Sequence, residues 1–224
     1  MSRGLFRILG PVMVGPSSSH TAGAVRIGNV ARTVCKGKAQ KIKFYLHGSF
    51  RNTYKGHGTD RALAAGILGF KTDDERIIYS LKLAREKGLS LEFIKADLGD
   101  VHPNTVKIEM FDENNEKTSI VASSIGGGEI RVYSINGLKV NTSCVYNSVI
   151  VEHITDICTT CVIVNLIKKY NLDLVSLNLV RQKKAENQSI TMLEINNETK
   201  EIICLLEELK FSKSVLKVTY IEKI

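Results

Sequence analysis

Apolar positions along this chain fall into runs with two distinct periods. Ile27, Val30, Ala31 and Val34 stand at i, i+3, i+4 and i+7, the spacing of one buried helix face. Ile42-Lys43-Phe44-Tyr45-Leu46 alternates as a half-buried strand does. Leu63, Gly66, Ile67 and Phe70 predict a second helix, with Thr59 or Asp60 as its cap. Thr72-Asp73-Asp74-Glu75 is a capping sequence for a third, running to about Lys87 and closed by Gly88. Strands are predicted over 89–96, 106–111, 118–124 and 129–135. The pattern pauses between Asn136 and Tyr146, which predicts a boundary between two domains, residues 1–143 and 144–224.

Beyond the pause the periods are regular. Val149-Ile150-Val151 predicts a strand, and Ile163, Leu166, Ile167 and Tyr170 a helix face. Val175, Leu177 and Leu179 alternate with polar residues, and a polar tip follows over 182–188. A strand over 190–195, a helix on Ile202, Leu205, Leu206 and Leu209, and a strand on Leu216, Val218 and Tyr220 complete the chain. The order βαββαβ is that of a ferredoxin-like split βαβ unit. The whole is therefore α+β: a mixed α/β domain followed by a ferredoxin-like one.

Composition narrows the class. Of 224 residues, 43% are hydrophobic and 24% charged, as in an ordinary globular protein. No apolar run approaches the length of a membrane span. The start, Met1-Ser2-Arg3-Gly4-Leu5-Phe6, lacks a signal-peptide core. The expectation is a cytoplasmic protein with no membrane partner. A net charge of +8 suits an anionic substrate or an acidic partner protein. The basic residues are scattered and aromatics make up only 6%, which points away from nucleic acid. The densest basic run, Arg181-Gln182-Lys183-Lys184, reads as a hairpin tip.

Five cysteines, an odd number spread widely, argue against a disulfide framework. Cys158-Thr-Thr-Cys161 has the spacing of a redox pair, but no second C-x-x-C or nearby histidines close a zinc site. At the start of an apolar helix it reads as a packing element, so no metal ligand is expected from this chain.

Chemistry concentrates in three polar loops. Gly15-Pro16-Ser17-Ser18-Ser19-His20-Thr21-Ala22-Gly23 opens onto the first helix. There the unpaired backbone N–H groups and the hydroxyls of Ser17, Ser18, Ser19 and Thr21 suit a carboxylate or phosphate, and His20 adds a group that moves a proton near neutral pH. Lys55-Gly56-His57-Gly58-Thr59-Asp60 repeats the arrangement at the second helix, with glycines that let backbone approach a ligand. Asp97 to Thr105 carries His102, Pro103 and Asn104; Asn104 can orient a carboxylate or an amine, and His102 can fix its loop. Each loop taken singly also reads as an N-cap or turn with a solvated histidine. Three of them in one domain point to the walls of one site.

These loops, together with Ser124-Ile125-Gly126-Gly127-Gly128, resemble the landmarks of the β chain of iron–sulfur-dependent L-serine dehydratase. The second domain resembles an ACT domain, a regulatory module that often binds amino acids. The resemblance implies a first domain like the allosteric-substrate-binding domain of some phosphoglycerate dehydrogenases. It implies conversion of L-serine to pyruvate and ammonia, with a four-iron four-sulfur cluster held by a separate α subunit. It implies His20 and His57 as catalytic candidates, the base left open between them. Ser17, Ser18, Ser19, Thr21, Lys55, Thr59, Asp60 and Asn104 are the substrate-binding candidates. The ACT-like domain departs from the amino-acid-binding pattern, because the loop from His153 to Cys158 has no glycine; this leaves it as a surface for self-association. The competing reading is a non-catalytic regulatory module in which Ser17–Thr21 binds an effector and His20 does no chemistry.

Overall fold

The computed structural model describes residues 12–36, 38–181 and 187–224. Most of the polar tip expected over 182–188, with most of its basic run, lies outside the described residues. The chain divides into two compact units, one ending at Ser143 with Ile224 added, the other running from Cys144 to Lys223.

The first unit is built on a six-stranded sheet. Its strands are β1 (Lys41–Leu46), β2 (Ser90–Lys95), β3 (Thr105–Phe111), β4 (Lys117–Gly126), β5 (Glu129–Ile135) and β6 (Leu138–Thr142). They lie in the order β2-β1-β3-β4-β5-β6. Only β1 and β2 pair in parallel; the other neighbours are antiparallel. A parallel pair needs a crossover, and the segment between them supplies the helices α2 (Gly48–Thr53), α3 (Thr59–Ile67) and α4 (Ser80–Glu86), the last preceded by a 3-10 turn, Glu75–Tyr79. Before β1 stands α1 (Gly23–Val34), entered through a π-helical turn, Ser18–Ala22.

The alternation in β1 becomes a core face. Ile42, Phe44 and Leu46 are fully buried, as are Val106, Ile108 and Met110 of β3. Against this sheet α1 lays Ile27, Val30 and Ala31. Helices α1 and α3 cross where Gly28 faces Gly66. A Cβ on Gly66 would lie 2.1 Å from the Val25 carbonyl oxygen and 2.7 Å from Gly28 Cα. The crossing exists only because neither residue has a side chain.

Several local expectations are corrected here. The cap of α3 is neither Thr59 nor Asp60 but Gly58, which makes no side-chain capping bond. Its φ of 70° puts the turn in the left-handed region, leaving Thr59 and Asp60 inside the helix. The pause after Asn136 contains β6, whose Val140 and Thr142 are buried while Leu138 is half-buried and Lys139 and Asn141 are exposed. The stretch after β1, left unassigned by periodicity, is the short helix α2.

The second unit has a four-stranded antiparallel sheet. Its strands are β7 (Asn147–Ile154), β8 (Leu174–Arg181), β9 (Gln188–Ile195) and β10 (Val215–Ile221), in the order β10-β7-β9-β8. With α5 (Ile157–Lys169) and α6 (Thr199–Phe211) this is the βαββαβ ferredoxin-like arrangement. Val149, Val151, Leu193 and Ile195 form one core with Ile163, Leu166, Ile167, Ile202, Leu205 and Leu209. Asp156 caps α5: its carboxylate accepts the Thr159 N–H at 2.7 Å and the Thr159 hydroxyl at 2.5 Å. Cys158 and Cys161 of this helix are exposed, which corrects the expectation that they pack inward. Among the described residues no helix is long and apolar enough to cross a membrane.

Candidate active site

The serine-rich stretch enters α1 with one residue too many for an α-turn. Gly23 N–H bonds back to the Ser18 carbonyl, closing a π-turn, a feature that often marks functional sites. Ser17 is its N-cap: the Ser17 hydroxyl accepts the His20 N–H at 3.3 Å, and the Ser17 carbonyl accepts that of Thr21 at 2.8 Å. The turn points His20, Thr21 and Ala22 inward and leaves Ser18 and Ser19 half-buried.

His20 is the centre of the site. It is 8% exposed. Ser17 Oγ lies 3.4 Å from its Nδ1, and Ser49 Oγ 3.2 Å from its Nε2. A neutral imidazole in that setting donates to one hydroxyl and accepts from the other. Phe50 meets the ring edge-on at 5.3 Å, and His57 meets it perpendicularly at 4.7 Å. His57 itself is exposed. It lines a small cleft with Gly15, Pro16, Thr21, Gly58 and Arg61.

The loop of Asn104 is tied to the same elements. Gly48 opens α2 with φ 54° against Pro103, whose carbonyl oxygen would be 2.6 Å from any Cβ placed there. Ser49 N–H donates to that carbonyl at 2.8 Å. On the other side, Ser124 N–H donates to the Asn104 carbonyl at 3.0 Å. His102 holds the loop as anticipated, its Nδ1 accepting the Asn104 N–H at 3.1 Å. Among the described residues, four buried side-chain oxygens have no hydrogen-bond partner: Thr21 Oγ1, Thr59 Oγ1, Asn104 Oδ1 and Ser124 Oγ. They belong to the π-turn, the start of α3, the third loop and the strand bonded to that loop. A buried oxygen left unpaired costs about 1–3 kcal/mol, and four in one region suit a site that completes them with a polar ligand.

Of the sequence candidates only Thr21 and His57 line this cleft; Ser17, Ser18, Ser19, His20, Thr59 and Asn104 are not among its lining residues. Lys55 and Asp60 line a different cavity, beside Tyr54 and Phe93. Three participants were missed by pattern reading: Ser49, Phe50 and Arg61. Ser49 and Phe50 had only a weak signal, a Gly-Ser step directly after a strand. Arg61 follows His57 by four residues, and its side chain is the cation among those lining the cleft.

Burial, and secondarily the neighbouring His57, pushes the His20 ring below its ordinary value of 6.5. The folded chain then holds fewer protons than the unfolded chain just below 6.5, so stability falls as pH drops through that value toward the depressed one. Thermal melts are expected to shift downward between about pH 7.5 and about pH 5.5. His20→Gln should flatten that slope; an unchanged slope would contradict the buried neutral ring.

The family model for the serine dehydratase beta chain matches residues 5–81, a span that includes His20, Ser49 and His57. Over 149 residues the chain is 48% identical to "L-serine dehydratase, beta chain" of Peptoniphilus asaccharolyticus, covering 66% of this chain and 67% of that one. Over 219 residues it is 38% identical to "Probable L-serine dehydratase, beta chain" of Bacillus subtilis (strain 168), covering 98% of each. The chain belongs to the serine dehydratase beta-chain family. A longer relative, "L-serine dehydratase" of Helicobacter pylori (strain J99), is 29% identical over 136 residues, which are 51% of this chain and 30% of that protein. The ACT domain of a GTP pyrophosphokinase from Chlorobium tepidum aligns with 34% of this chain and 95% of its own length, at 14% identity and a TM-score of 0.30.

An iron–sulfur cluster needs thiolates that converge. Cys35 is buried at the end of α1, Cys144 is buried, Cys158 and Cys161 lie on α5 and Cys204 on α6. Among the described residues no group of three His, Cys, Asp or Glu side chains could hold a metal ion. The donor set of the described residues does not fit a cluster.

Proposed function

We propose that this chain is the β subunit of an L-serine dehydratase, which turns L-serine into pyruvate and ammonia together with a cluster-bearing α subunit. The observation that carries the reading is the buried His20 set edge-on behind the exposed His57, with unpaired oxygens of Thr21 in the π-turn, Thr59 at the start of α3 and Asn104 in the third loop. The cluster belongs on the α subunit, where it would act as a Lewis acid toward the substrate hydroxyl.

The residues of this chain divide the remaining work. His57 lines the cleft and is exposed, which supports it as the group that takes a proton from substrate. His20 touches His57 but is enclosed by Ser17, Ser49 and Phe50; it acts as a positioning residue. Arg61 and Thr21 line the same cleft, which supports them as the groups that hold the substrate carboxylate. The Asn104 side chain, its oxygen unpaired, accepts from the ammonium group. Removal of the α-proton and departure of the β-hydroxyl leave an enamine, which tautomerises to an imine and hydrolyses to pyruvate and ammonia. The balance needs no oxidant.

Self-association is assigned to the second unit. Its edge strand β8 exposes Val175, Leu177, Leu179 and Val180, an apolar edge able to pair with a second copy.

The test is reconstitution. The purified chain is expected to be inactive alone and to yield pyruvate and ammonia from L-serine only with its α subunit and iron under anaerobic conditions. Full activity of the chain by itself would overturn the assignment.

A further inference from the structure

The first unit carries a second cavity, of about 470 Å³, that the proposed reaction does not use. Its boundary includes Tyr54, Lys55, Asp60, Arg85, Leu91 and Phe93. The size falls within the range of small-molecule sites, which combine an apolar wall with a few convergent polar groups. The wall here is a stack of aromatic rings. Phe93 stacks on the fully buried Phe44 at 4.7 Å, and Tyr54 continues the stack at 6.0 Å.

The polar groups are of both signs. Lys55 and Arg85 are exposed cations, and the Lys55 ammonium lies 5.9 Å from the centre of the Tyr54 ring. Asp60 is half-buried. Burial raises its carboxyl, against the hydrogen bond from the Arg61 N–H and the nearby cations Arg61 and Lys55. A ligand with only negative charge would meet the Asp60 carboxylate as well as the two cations. A ligand with only positive charge would meet Lys55 and Arg85. One that carries both signs close together, next to an apolar body, satisfies all three charges and the aromatic wall.

We propose that this cavity binds a free α-amino acid with an apolar side chain. Its carboxylate is taken by Arg85 and Lys55, its ammonium by Asp60, and its side chain lies against Phe93 and Leu91. Occupancy also reaches the candidate active site. Tyr54 and Asp60 bracket the segment Gly56-His57-Gly58, whose backbone is closed on itself by His57 N–H to the Thr53 carbonyl at 2.9 Å and Thr59 N–H to the Tyr54 carbonyl at 2.8 Å. A ligand that fixes Tyr54 and Asp60 therefore sets the position of His57, and acts as an effector distinct from substrate.

Binding is measured by calorimetry on the full 224-residue chain, so the result does not depend on His57 having a role in turnover. The probes are L-leucine, L-phenylalanine, L-serine, and 4-methylpentanoate, which is leucine without its ammonium group. L-Leucine or L-phenylalanine is expected to saturate with a Kd of about 1 mM or tighter, and L-serine to bind at least roughly tenfold more weakly for want of an apolar body. Arg85→Met, at an exposed position, should weaken binding by about tenfold or more, and Asp60→Asn should do the same. NMR of the bound chain should shift the ring signals of Tyr54 and Phe93 together with the His57 imidazole. Absence of saturable binding by both apolar amino acids would overturn the proposal. So would 4-methylpentanoate matching L-leucine, L-serine matching it, or affinity unchanged in Arg85→Met.

Discussion

His57→Ala is expected to lower kcat for L-serine deamination by about 10²–10⁴-fold in the reconstituted enzyme, the usual contribution of a general base. The KM should change little, because the proposed carboxylate contacts are made by other groups. The expectation follows from placement: His57 is exposed on the cleft, while both nitrogens of His20 face serine hydroxyls. His20→Ala should also reduce turnover, but by a different route. It removes the surface against which the His57 ring stands at 4.7 Å. His20→Gln, which can still bond Ser17 and Ser49, should recover part of that loss, whereas His57→Gln should recover none. If His20→Gln proves as inactive as His20→Ala, and the pH–rate profile of His57→Ala keeps its acidic limb, the two roles are exchanged. If both alanine variants turn over normally and lose only a response to an effector, the domain is a regulatory module.

Gly66→Val is expected to be the most damaging substitution for the fold of the first unit. The first atom added would fall 2.1 Å from a backbone oxygen of α1 and 2.7 Å from the α-carbon of Gly28. Neither is the end of a flexible side chain, so the two helices must separate. Overpacking of this kind costs about 3 kcal/mol or more. For a unit of this size that corresponds to a fall in melting temperature of roughly 6–12 °C. Turnover should fail with it, since α1 carries His20 at its entrance and α3 is preceded by His57. Gly66→Ala should show the same effect in smaller measure. A melting temperature within about 2 °C of the unsubstituted chain would mean that the helices do not meet at these glycines.

The strands and long helices were legible because each buries one face, and a buried face writes its period into the sequence. The errors share a different cause. Gly58 rather than Thr59 caps α3, because a left-handed turn can end a loop without any side-chain bond. Helix α2 has six residues and buries only Phe50, too little to leave a period. Strand β6 is similarly short and half-polar. In the site, His20, His57 and Asn104 stood out because polar residues flanked by glycine and proline are conspicuous. Ser49 and Arg61 did not, since a serine after a strand and an arginine in a helix are unremarkable until something faces them.

The sequence by itself determined that a mixed α/β part precedes a βαββαβ part, and that the polar loops carrying His20, His57 and His102 fall in the first. Those properties are local, or depend only on the order of periodic segments. The tertiary structure alone decided which loop residues meet. It set His57 on the cleft and His20 behind it, brought Ser49 to the far side of the His20 ring, and turned Lys55 and Asp60 away to a second cavity. The physical reason is that these relations pass through space: they depend on a π-turn that rotates three side chains inward, and on two glycines that let a pair of helices touch.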